Sequence, residues 1–60
     1  MHLYVEPMDA VVVEVNEEGR VWLENEEELA APTLQERRAI LYAAHREVEA
    51  LRELIEILER

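Results

Sequence analysis

The last 28 residues, Thr33 to Arg60, constrain this chain more than any other stretch, because they read as one unbroken amphipathic helix. Thr33-Leu34-Gln35-Glu36 is a capping box. In that motif the Thr33 hydroxyl accepts from the Glu36 amide, and the Glu36 carboxylate accepts from the Thr33 amide. Pro32 stands just before the cap and stops any earlier helix from running through. From Leu34 onward no Gly or Pro interrupts, and Leu, Ala, Glu and Arg dominate, all good helix formers.

Written as heptads, Leu34, Leu41, Val48 and Ile55 share one position, and Arg37, Ala44, Leu51 and Leu58 share its partner. Only Arg37 is polar, so the pattern is that of a coiled-coil seam with one splayed first turn. Ile40, Ala43, Ala50, Leu54 and Ile57 widen the apolar arc to roughly 200°, about twice what contact with one small sheet requires. Length points the same way. The 27 residues after the cap span roughly 40 Å, whereas a compact chain of 60 residues has a radius of gyration of only about 10 Å. Part of the helix must overhang the rest of the protein. Contiguous exposed apolar surface marks an interface. Leu41, Ala44, Val48, Leu51, Leu54, Ile55 and Leu58 are therefore the expected oligomer interface of a homodimer or tetramer, with parallel and antiparallel pairing both compatible.

Chain length supports that expectation. Sixty residues make a single domain, 1–60, and such a chain buries only about 60% of its unfolded surface. Domains of this size lean on disulfides, metals or oligomerisation. Cysteine is absent and there are only two histidines, so neither disulfides nor a structural metal is expected. Oligomerisation remains. No stretch approaches the roughly 20 apolar residues needed to span a bilayer. The N-terminus lacks the basic flank and apolar run of a signal peptide. A cytoplasmic protein without membrane contact is the expectation. All six basic residues are Arg, a usage that fits a thermophilic or GC-rich source.

The net charge of −9 is unevenly distributed. Residues 1–32 carry nine acids against Arg20 alone, and residues 33–60 carry six Glu against five Arg. An acidic N-terminal half repels phosphate backbones, which disfavours nucleic acid as a partner. Only Arg37 and Arg38 could support it.

The N-terminal half, 1–24, reads as a β-hairpin region. Ala10–Val15 and Arg20–Glu24 flank Asn16-Glu17-Glu18-Gly19, the signature of a type I turn closed by a left-handed Gly. Simple alternation places Val11, Val13, Val15, Val21 and Leu23 toward the helix, with Val12, Glu14, Trp22 and Glu24 on the opposite face. On that reading Val12 and Trp22 form a contact surface for another protein or for a symmetry mate, since aromatics concentrate in interface cores. His2–Glu6 alternates weakly and fits a short N-terminal edge strand before Pro7, with Tyr4 packing on the hairpin. Residues 25–32 form an acidic connector in which Asn25 could cap a single helical turn.

Catalytic residue types are scarce. Thr33 is the sole aliphatic hydroxyl and already caps the helix, and there is no Ser or Cys. Nucleophilic triads are excluded on that ground, and no enzymatic activity or cofactor is expected. His45 and Glu49 lie four apart on one helix face, a spacing suited to two metal ligands, but no third ligand joins them. A solvated His45, stacked on Tyr42 or paired to Glu49, is the plainer reading. Arg37 and Arg38 oppose the helix dipole in the first turn and mark a second candidate docking point for an anionic group.

The order of a hairpin, Val11–Leu23, and a helix opening with Thr-Leu-x-Glu at Thr33–Glu36 resembles the core of small HicB-type antitoxins. The Pro, Gly and Cys loop and the third core strand after the hairpin, both expected in that family, are absent here. The resemblance implies an antitoxin-like regulator that binds a partner protein. The whole sequence reads as an α+β protomer, a hairpin on the first half of a long C-terminal helix that oligomerises. Such a protomer suits an adaptor, assembly or regulatory protein.

Overall fold

The computed structural model describes residues 1–60 as a three-stranded antiparallel sheet followed by one long helix, an α+β fold. Strand β1 (Leu3–Val5) leads through a 3-10 turn at Glu6–Met8 into β2 (Ala10–Val15), which returns as β3 (Val21–Leu23). Helix α1 spans Leu34–Leu58. The sheet order is β1-β2-β3, with β2 central.

Local chemistry explains each corner. Pro7 fits the 3-10 turn, and Asp9 closes it in the left-handed region at φ 47°, its amide donating to the Glu6 carbonyl at 3.0 Å. At the hairpin tip the Gly19 amide donates to the Asn16 carbonyl at 3.1 Å, and Gly19 takes φ +83°. The Asn16 side-chain oxygen accepts from the amides of Glu18 and Arg20 at 3.0 and 2.9 Å, fixing the turn from inside. Thr33 and Glu36 form both bonds of the capping box, at 3.1 and 2.8 Å. The connector makes no helical turn. It doubles back so that Ala30 and Val21 exchange backbone hydrogen bonds at 2.9 and 3.0 Å, which closes the outer edge of β3. The outer edge of β1 stays open. It is only three residues long and flanked by Glu6 and Pro7, features that discourage edge-to-edge aggregation.

The sheet does not follow simple alternation. Val12 pairs with Leu23, Glu14 with Trp22 and Val15 with Val21, so Val13 is one extra residue in β2. This bulge reverses the parity of everything before it. Val12 is therefore fully buried at 0% exposure, while Val11 and Val13 lie half-buried outside the core. The outward placement expected of Val12, and the inward placement of Val11 and Val13, are corrected by that single inserted residue. Trp22 does face outward, as alternation implied.

The core is small. Leu3, Val5, Val12, Val21 and Leu23 are its buried residues, with Met8, Ala10, Ala39, Ile40, Ala43 and Ala44 packed against them. Leu3, Val12 and Leu23 line up across all three strands, so β1 contributes to the core as fully as the hairpin does. Three of the four helix residues on this contact are alanines, which lets the helix approach the sheet closely. The helix rests chiefly on β1 and on the 3-10 turn, and no residue of it is fully buried. The result is elongated, 42 × 21 × 18 Å, with a radius of gyration of 13.1 Å against about 10 Å for a compact chain of this length.

The bulge makes a direct prediction. A hydroxyl buried at Val12 has no partner, so Val12→Thr should destabilise the fold by about 1–3 kcal/mol. Val13→Thr, half-exposed, should cost under about 1 kcal/mol. Urea denaturation of the two variants distinguishes them; the opposite ranking would restore simple alternation.

Candidate interaction surfaces

The helix divides at Ala44. Before it, Ala39, Ile40, Ala43 and Ala44 cover the sheet; from His45 to Arg60 every residue is exposed. Val48, Leu51, Leu54, Ile55, Ile57 and Leu58 stand in this overhanging half, with Leu51 at 49% and Ile55 at 54% exposure. Ala44 is partly used by the core, so of the residues expected at an interface it is the one already in contact within the protomer. Leu34 and Leu41 belong to the sheet-covered half yet remain 61% and 52% exposed. Together with Val48 and Ile55 they form an open apolar stripe along the whole helix at seven-residue spacing.

Total area gives this exposure a scale. The protomer has 5262 Å² of accessible surface, whereas a compact monomer of 7.1 kDa has roughly 4,100 Å². The difference, roughly 1,200 Å², accords with the elongated shape, 42 × 21 × 18 Å.

The outer face of the sheet is the second surface. Tyr4 and Trp22 are exposed there, flanked by Val11, Val13, Glu14 and Glu24. Tyr4 stands opposite Val11 of the hairpin and stays 54% exposed. Its hydroxyl donates to Asp9 Oδ1 at 3.0 Å. Trp22 Nε1 donates to the Glu26 carbonyl at 2.8 Å, tying the acidic connector to the sheet. Both aromatics are thus solvent-exposed with their donor hydrogens engaged within the protomer. The hydrogen bond to Asp9, with the nearby charges of Asp9 and Glu6, raises the Tyr4 phenol above its ordinary value.

Charges elsewhere are loosely arranged. The ion pairs are Glu18–Arg20 at 3.6 Å and Glu56–Arg60 at 3.8 Å, both solvent-exposed and individually weak, and the His2 imidazole lies 3.8 Å from the Glu24 carboxylate. None involves Arg37 or Arg38, and Glu36 is engaged by the capping box instead of compensating them. His45 does not stack on Tyr42; the Arg46 guanidinium does, 5.9 Å from the ring centroid. No three His, Asp or Glu side chains come together in an arrangement that could hold a metal ion. No helix is long and apolar enough to cross a membrane. Comparison of the chain with protein-family models, with curated proteins and with solved structures gives no match.

The contact of Tyr4 with Asp9 can be read spectroscopically. In a Tyr42→Phe background, Asp9→Ala should lower the pH at which Tyr4 ionises, bringing it toward the ordinary 10.0. The phenol is held neutral in the fold, so this contact stabilises at and below neutral pH and is lost as pH rises through the raised value. An absorbance titration unchanged by Asp9→Ala would contradict the assignment.

Proposed function

We propose that this protein is a small homo-oligomeric protein–protein interaction module without catalytic activity, in which a second copy covers the overhanging half of the helix. The observation that carries this reading is the open apolar face around Leu51 and Ile55. Leu51 and Ile55 are joined on it by Val48, Leu54, Ile57 and Leu58, each 45% or more exposed. A solvated alternative would leave a contiguous apolar helix face in water, which soluble monomers avoid. Half an isolated helix is also marginal in water by itself, so the distal turns need a partner to persist.

With that face covered, the surface left for a different protein is the outer sheet face, where Tyr4 and Trp22 stand among carboxylates. Its charge suits a basic partner and repels nucleic acid. An adaptor or assembly factor fits this arrangement. An antitoxin-like regulator that caps a basic partner protein belongs to the same class, and the acidity of the sheet end favours it.

Leu51→Arg and Ile55→Arg test the reading, because both side chains are exposed in the protomer and neither touches the core. Burying a charge at the interface should weaken association at least about 100-fold, equivalent to about 3 kcal/mol. Sedimentation at micromolar protein should then give 7.1 kDa. Helical signal should fall as the distal turns fray, while Glu49→Arg on the polar arc leaves the assembly intact. Variants that stay fully assembled would remove the helix as the interface.

A further inference from the structure

We infer that the two copies pair antiparallel, the overhanging helix half of each lying along the sheet-covered half of the other; this rests on the self-association proposed above. Two independent features point to that orientation. The first is charge. Arg37 and Arg38 sit in the first turn, where cations oppose the helix dipole, and the last turn carries no basic residue while Glu53, Glu56 and Glu59 crowd the C-terminal end. Glu36 offsets the first end only in part, and Arg60, 3.8 Å from Glu56, the second, so a reversed neighbour would compensate what remains at both. Antiparallel pairing sets Arg37 and Arg38 beside the partner's Glu56 and Glu59 and brings opposite dipole ends together. Parallel pairing would instead face Arg37 with its own copy at a seam position and hold two acidic sheet ends side by side.

The second feature is the stripe itself. A contact confined to the overhang would need no apolar residues beside the sheet, yet Leu34 and Leu41 are open there. In the reversed register Leu34 meets the partner's Leu58, Leu41 meets the partner's Leu51, and Ala44 meets the partner's Val48. Arg37 then lies against the partner's Ile55, at the end where the seam opens to water. The small Ala44 layers flank the twofold axis, allowing close approach at the centre of the contact.

The absence of native cysteine makes the test clean. Leu34→Cys and Leu58→Cys are both at exposed positions, so neither substitution disturbs the core. Under mild oxidation, an equimolar mixture of the two should give at least tenfold more disulfide-linked dimer than either variant alone. Linkage of each variant to itself would establish a parallel pair and overturn the orientation. No linkage in an assembly that light scattering shows to be dimeric would overturn the register. Absence of any dimer at all would overturn the self-association reading on which the orientation rests.

Discussion

One contact holds this protomer together: the ridge of Ala39, Ile40, Ala43 and Ala44 on the apolar face of the sheet. A three-residue strand and a short hairpin are not stable alone in water. Their apolar cover comes from this part of the helix together with Met8 and Ala10, and the small helix side chains allow close packing on Leu3, Val5, Val12, Val21 and Leu23. Such a core supplies little surplus stability, and it occupies less than half of the helix. Everything beyond Ala44 follows from that mismatch between a narrow sheet and a long helix.

Much of this was legible in the sequence, for reasons that can be named. The Thr33–Glu36 box and an uninterrupted run of helix formers set the helix start. The single Gly, three residues after Asn16, marked the turn that needed a positive φ. The heptad spacing of Leu34, Leu41, Val48 and Ile55 showed an apolar arc too wide for one sheet. The sheet faces were harder. Ala10–Val13 is an unbroken apolar run of one Ala and three Val before Glu14, so no polar marker within it reports that the pleat slips by one residue. The bulge at Val13 therefore could not be read, and Val12 was placed on the wrong face. For β1 the alternation His2-Leu3-Tyr4-Val5-Glu6 did carry the signal, but three residues are too few to separate a core strand from a loop without knowing its partner.

The distribution of charge fits the proposed assembly as well as the apolar surface does. The sheet end is strongly acidic and displays two exposed aromatics whose polar atoms are bonded within the protomer. The helix carries near-balanced charge, with Arg37 and Arg38 in its first turn and Glu53, Glu56 and Glu59 near its end opposing its own dipole. An assembly built on that helix would leave the acidic faces outward, a division between a self-associating scaffold and a recognition surface.

The absolute mass of the unmodified protein in solution tests the central claim most directly. Light scattering behind a sizing column, at micromolar and sub-micromolar concentration, reads it without a label. A dimer or tetramer that persists on dilution is the predicted result. A folded monomer of 7.1 kDa would contradict it, and would mean that the overhanging helix face is not used for self-association.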